Sequence, residues 1–110
     1  MATFTNGLVA DVGTTEQTIY TAPTGTTGIH LVIGAIATNV LGSAAPITFK
    51  LERGATTIHL ANNRRVLPND TVDLLMGTKI SLQANDLLKV SAPLDNAFNV
   101  IVTITEEVLG

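Results

Sequence analysis

Three features of this 110-residue sequence predict an all-β fold. Thr, Val and Ile dominate the ordered-looking segments, and β-branched side chains suit a pleated, half-buried surface better than a helix. Period-2 alternation of apolar and polar residues recurs in many short windows, whereas no window carries an i, i+3, i+4, i+7 stripe over three turns. Gly, Pro, Asn and Asp punctuate the chain roughly every eight to twelve residues, the spacing of a sandwich or small barrel. The expectation is a single-domain β-sandwich over residues 1–110, jelly-roll or Greek-key, with about eight strands. No internal repeat, low-complexity tract or linker suggests a domain boundary.

The first segment, Phe4 to Val12, is a strand interrupted by Asn6-Gly7, so residues 1–13 read as an edge strand or an N-terminal arm. Gln17 to Ala22 alternates better and stops at Pro23, which cannot donate to a ladder. Thr24-Gly25-Thr26-Thr27-Gly28 follows as a turn. From Ile29 to Val40 both faces are apolar, with Ile29, Leu31, Ile33 and Ala35 on one and Val32, Gly34 and Ile36 on the other. Such a strand is either central in the sandwich or packed on another subunit, because a second bare apolar face is an aggregation hazard. Gly42 to Pro46 is the next loop.

Ile47 to Glu52 gives the clearest alternation, with Ile47, Phe49 and Leu51 inward and Thr48, Lys50 and Glu52 toward water. Arg53-Gly54-Ala55 turns it into Thr57 to Ala61 as a hairpin, and Asn62-Asn63-Arg64-Arg65 reads as a polar connection. Val66 to Ala92 then holds three strands, Thr71–Met76, Lys79–Gln83 and Leu87–Ala92, cut apart at Gly77 and at Ala84-Asn85-Asp86. In the last strand, Phe98 to Glu106, the residues Phe98, Val100, Val102 and Ile104 form the inner face.

Composition narrows function mainly by exclusion. A hydrophobic fraction of 45% and a charged fraction of 14% describe a folding chain and not a disordered one. A net charge of −3, with Arg64-Arg65 the only adjacent basic pair, leaves no footprint for nucleic acid. Cysteine is absent, which removes disulfides and thiolate metal sites. MATFTNGLVADVG lacks the basic start and apolar core of a signal peptide, and no run approaches the roughly 20 apolar residues of a membrane span. A soluble, cytoplasmically made protein is expected.

Catalytic chemistry finds little support. His30 and His59, with Glu52 as a third ligand, lack the H-x-H spacing of strand-built metal sites, so they read better as polar residues on strand surfaces or at a subunit contact. There is no G-x-S-x-G nucleophile turn, and the Thr24–Gly28 glycines lack the lysine and helix of a phosphate cradle. Asp70 and Asp86 precede strands, where turn hydrogen bonding accounts for them. Arg64 and Arg65 face opposite ways in extended chain, so at most one meets a given partner; a solvated loop and an intersubunit carboxylate contact both remain open. No catalytic, cofactor-binding or metal residue is assigned. The candidate subunit interface is Ile29, Leu31, Val32, Ile33, Ile36, Arg64 and Arg65.

Several segments together carry a likeness: Tyr20-Thr21-Ala22-Pro23 before a Thr/Gly turn, Ile47-Thr48-Phe49-Lys50-Leu51, Leu67-Pro68, and Ile80-Ser81-Leu82-Gln83-Ala84-Asn85-Asp86 running into Leu88-Lys89-Val90-Ser91-Ala92. Over residues 17–106 the chain resembles small, jelly-roll-like β-sandwich virion proteins of tailed bacteriophages, of the capsid decoration or cement type. That family often has Ala-Gly-Asp where this chain has Ala84-Asn85-Asp86, and Asn tolerates the left-handed conformation better than most residues. The resemblance implies a non-enzymatic capsid decoration protein that stabilises the phage head as an oligomer, a trimer favoured. The alternative it implies is a tail, neck or fibre-attached module contacting other virion proteins or the host surface. The implied partners are further copies of itself and the major capsid or another virion protein, with neither nucleic acid nor membrane. The implied location is the virion, on the head surface, after assembly in the host cytoplasm.

Overall fold

The computed structural model describes residues 2–22 and 28–108. Among them run nine strands: β1 (Ala2–Val12), β2 (Gln17–Thr21), β3 (Gly28–Asn39), β4 (Ala45–Arg53), β5 (Thr56–Val66), β6 (Thr71–Asp73), β7 (Ile80–Leu82), β8 (Leu87–Ser91) and β9 (Phe98–Val108). Sheet A has the order β1-β9-β3-β6, with β7 also on β3; sheet B has the order β2-β8-β4-β5. Every pair is antiparallel. Strands β6 and β7 pair with opposite ends of β3, at Ile36–Thr38 and His30–Val32, and so share one strand position. Counting them once leaves eight positions, ordered 1-8-3-6 and 2-7-4-5. That is the jelly roll, two Greek keys folded into facing sheets.

Only the β4–β5 hairpin joins neighbouring positions of one sheet. Arg53 pairs with Thr56 around Gly54-Ala55, and Gly54 takes the positive φ of +59° that a two-residue turn demands. Core strands follow their alternation. Ile47, Phe49 and Leu51 of β4 in one sheet and Phe98, Val100, Val102 and Ile104 of β9 in the other are all buried in the core. Phe49 and Phe98 are the largest fully buried side chains, and burying one such ring contributes roughly 1.5–3 kcal/mol.

Departures from strict alternation have local causes. In β3, Val32 pairs with Ile104 and Gly34 with Thr103, leaving Ile33 as an inserted bulge residue. A bulge shifts parity, so His30 and Val32 point inward before it and Ala35, Ala37 and Asn39 after it. The two faces expected for this strand therefore exchange midway. Strand β5 runs on through Asn62 to Val66, where a polar connection was expected. Two irregularities, between Ile47/Phe49 and Phe49/Lys50, absorb its extra residues. At the first, Asn63 has φ +50° and donates its backbone N–H to Thr48 Oγ1 at 3.2 Å. Nor does Asn6-Gly7 interrupt β1. Gly7 faces inward, and a Cβ there would collide with the Ile19 carbonyl oxygen, so glycine lets β1 lie against β2.

The strands of Val66–Ala92 are shorter than expected. Thr71–Asp73 ends where the Asp73 carboxylate accepts N–H bonds from Leu75 (2.9 Å) and Gly77 (3.0 Å), capping its own turn. The Pro23 stop and the turn expected at residues 24–27 lie outside the described residues, and Gly28 already belongs to β3.

Three of the described residues are polar or charged and buried: His30, Asn39 and Asp86. Asn39 ends β3 inside the core at 1% exposure. Its Nδ2 donates to the carbonyls of Ser43 (2.9 Å) and Val66 (3.0 Å), its Oδ1 accepts from Leu41 N–H (2.8 Å), and its backbone N–H donates to Asp70 (2.9 Å). Four segments meet on this amide. Asn39→Asp turns both side-chain donors into acceptors facing carbonyl oxygens, so urea denaturation should show a loss of roughly 2–5 kcal/mol; a loss below about 1 kcal/mol would contradict the role. Asn85 is an exposed turn residue in the left-handed conformation, at φ +69°. Asn85→Gly should be neutral or stabilising, and Asn85→Val should cost about 1–2 kcal/mol in the same assay.

Candidate interaction surface

The outer faces of the two sheets differ in chemistry. On sheet B, Lys50 of β4 stands directly opposite Lys89 of β8, a like-charge pair that would repel. Carboxylates offset it: Glu16 bridges both ammonium groups, pairing with Lys50 and lying 3.7 Å from Lys89, while Glu52 lies 2.8 Å from Lys89. The Lys50 hydrogen bond, chiefly, holds Glu16 below the usual carboxylate range. Glu52 raises Lys89 above the ordinary lysine value. The two facing lysines are thus met by carboxylates of the same face.

On the outer face of sheet A no charge occurs from Phe4 to Ala10, Asn99 to Thr105 or Leu31 to Thr38; the neighbouring charge is Asp73 of β6, opposite Ile36. Register lines up an apolar row across three strands: Leu8 of β1 opposite Ile101 of β9, and Ile101 opposite Ile36 of β3. Ile101 is 40% exposed and Ile36 44%. A parallel row holds Phe4, Thr105 and Leu31. Between them the Thr103 hydroxyl donates to Asn6 Oδ1 at 3.1 Å. An apolar, uncharged patch over adjacent strands, with nothing of the described chain upon it, is the feature that marks interaction surfaces.

The seven residues expected at a subunit interface separate. Leu31, Ile33 and Ile36 lie on the outer side of β3, the first two half-buried. Val32 is fully buried in the chain's own core, because the bulge at Ile33 places it on the inner side. Ile29 pairs with Glu107 in backbone register. Arg64 and Arg65 lie on β5, at the far edge of sheet B, with Arg65 exposed and Arg64 half-buried. Arg64 Nη1 reaches the Asp73 carbonyl at 3.5 Å, linking the edge of sheet B to that of sheet A. Phe4, Leu8 and Ile101, on the same outer side of sheet A, are not among the seven. The Phe4/Leu8 spacing on one side of β1 was a usable signal, hidden by treating Asn6-Gly7 as a break.

The histidines do not meet. His59 is exposed on edge strand β5 of sheet B, while His30 is buried on β3 of sheet A, inside the sandwich and not on the strand surface expected. His30 Nδ1 lies 3.3 Å from Glu106 Oε2. Burial chiefly, with Glu106 adding its charge, pushes the Tyr20 phenol above its ordinary pKa. Glu52, the third supposed ligand, is paired with Lys89. Among the described residues no group of three His, Cys, Asp or Glu side chains gathers where a metal could sit. A polar, solvent-open depression of about 270 Å³ is lined by residues including Asp11, Thr14, Gln17 and Asp95. Thr14 donates to Asp95 there at 3.1 Å, and no histidine lines it.

Comparison with known proteins bears on the fold. No family model matches the sequence, and none of the curated proteins does. Among solved structures, a Bacillus endospore appendage protein of a family of disulfide-linked pili is similar at a TM-score of 0.53 and 13% identity, over 100% of this chain and 92% of that one. This likeness is one of fold; without cysteine, this chain cannot form such a linkage. A pentameric capsid protein isolated from metagenomic phage sequences gives a TM-score of 0.49 at 23% identity, and the match covers 88% of this chain and 60% of that protein. The class that fold and surface define is a jelly-roll sandwich whose sheet B pairs its two facing lysines internally and whose sheet A presents an apolar row on its outer side.

Away from that surface, the charge with the largest structural role is Asp86. Its side chain is fully buried, bound by Arg53 Nε (3.0 Å) and Nη2 (2.7 Å) and by the Gln83 N–H (2.8 Å). Arg53 above all, aided by Gln83 and against the burial penalty, holds its carboxyl below the ordinary range. A depressed folded pKa gives stability that is complete above the unfolded value of about 3.9 and is lost as pH falls through the folded value. Urea denaturation should therefore show wild-type stability falling below about pH 4, and Asp86→Asn should be less stable at neutral pH with a flatter acid profile. An unchanged acid slope in Asp86→Asn would assign the loss elsewhere.

Proposed function

We propose that this chain is a non-enzymatic structural subunit of a tailed-phage particle, a decoration protein that works as a homo-oligomer and binds the outside of the assembled head through the major capsid protein. The observation that carries this reading is the outer face of sheet A, where Leu8, Ile101 and Ile36 form an apolar row uncovered by the described chain. A face of this kind suits a broad, flat partner surface. On the opposite face Lys50 and Lys89 are already paired to Glu16 and Glu52. Support comes also from the segments over residues 17–106 that resemble phage virion proteins, and from the jelly-roll topology.

Purified protein added to heads lacking it should co-sediment with them. Ile36→Lys combined with Ile101→Lys should weaken that binding at least about 100-fold while leaving the far-UV circular dichroism unchanged. Immunogold labelling decides the place on the particle: label on heads supports decoration, whereas label confined to tails replaces it with a tail-attached module.

A further inference from the structure

Two sheets have four edges, and three of these carry the features by which sheets avoid joining their neighbours: short strands, bulges and charge. One edge of sheet A is β6 and β7, three residues each. In sheet B, β2 has five residues and a register break between Thr18 and Tyr20. Strand β5 is long but twice irregular, and it bears Arg64 and Arg65. Strand β1 has none of this protection over most of its length. It runs eleven residues, keeps unbroken register with β9 from Ala2 to Val9, and contains no proline and no charge before Asp11. Among the described residues no strand lies on its other side. Phe4 and Leu8 stand out from it at 71% and 67% exposure.

We propose that β1 pairs with β1 of a second copy of this chain, antiparallel about a two-fold axis through Asn6. The two A sheets then become one continuous sheet, β6-β3-β9-β1 followed by the same strands in reverse. In this register Asn6 faces its counterpart, and Phe4 of each copy faces Leu8 of the other. Residues directly opposite in an antiparallel pair share a face, so both apolar pairs form on the outer side. There they extend the Ile36–Ile101–Leu8 row into the second copy.

A second copy is the occupant because the pairing is self-complementary. No like charges oppose each other anywhere from Ala2 to Ala10, and the Phe4/Leu8 spacing is symmetric about Asn6. A strand rich in charge would find no counter-ion on β1. The paired segments would exchange about eight main-chain hydrogen bonds. This pairing does not rest on the virion reading, and its failure would leave head binding untouched.

The full-length protein should sediment as a dimer at micromolar concentration. Phe4→Lys with Leu8→Lys opposes like charges twice and should raise the dissociation constant at least about 100-fold. Phe4→Lys with Leu8→Glu opposes unlike charges and should dimerise within about tenfold of wild type. Circular dichroism verifies that each variant folds, and a second measurement is independent of both. Asn6→Cys introduces the sole thiol into a chain without cysteine, and mild oxidation should convert it to a disulfide-linked dimer, since the facing Cα atoms would lie within about 4.4–6.8 Å. A wild-type monomer overturns the proposal. So does a trimer, as the family resemblance implies, or a pentamer, because a two-fold contact alone builds neither. A double-lysine variant that still dimerises, or an Asn6→Cys chain that stays monomeric on oxidation, overturns it as well.

Discussion

Two buried polar residues, one at each end of the sandwich, hold the crossings between sheets on which the jelly roll depends. At one end, the Asn39 amide gathers the close of β3, the loop at Ser43, the close of β5 at Val66 and, through its backbone, the turn at Asp70. At the other, Asp86 accepts from Arg53 at the close of β4 and from Gln83, while its backbone carbonyl accepts from Ala22 just past β2. Apolar packing is non-directional and fills the space between sheets without specifying where each crossing occurs. Hydrogen bonds to fixed carbonyls are directional, and leaving them unmade in the interior is costly. The two kinds of force divide the work: β4 and β9 supply burial, and Asn39 and Asp86 specify connection.

How much of this was legible in the sequence follows from how far each force is local. Strands β4 and β9 could be read because their alternation is unbroken and each side chain's face follows from its number. The left-handed position at Asn85 was legible for the same reason, since turn conformation is a property of a few adjacent residues. Strand β3 was not, because the inserted Ile33 depends on which residues of β9 lie alongside it, and a single extra residue reverses every face beyond it. Asn62 to Arg65 look like a loop by composition, yet they continue β5 because the irregularities accommodate them on an edge. For Asn39 only the contacts to Leu41 and Ser43 are local; Val66 and Asp70 are brought to it by the completed fold.

The candidate surface was partly visible. Leu31, Ile33 and Ile36 of the expected interface lie on the outer side of β3, whereas Val32 belongs to the interior and the arginines to the far edge of the other sheet. What the sequence could not display is the asymmetry between sheets. It arises because register sets Lys50 and Lys89 side by side with acids within reach, while Leu8, Ile101 and Ile36 align with no charge among them. Neither arrangement exists along the chain. Each is a property of strands far apart in sequence lying side by side.

The position of β9 has a consequence for how the chain comes into being. It lies between β1 and β3, pairing Ala2 with Glu107 on one side and Gly28 with Val108 on the other. During synthesis, the strands it will join are made first and wait for it. Until β9 has left the ribosome, sheet A has no centre, because β1 and β3 are joined only through it. Contacts spanning nearly the whole chain place this protein among the slow, high-contact-order folders, and its nascent form is the state most open to wrong pairings. The protein is therefore exposed to aggregation at the time of its making more than at any time after.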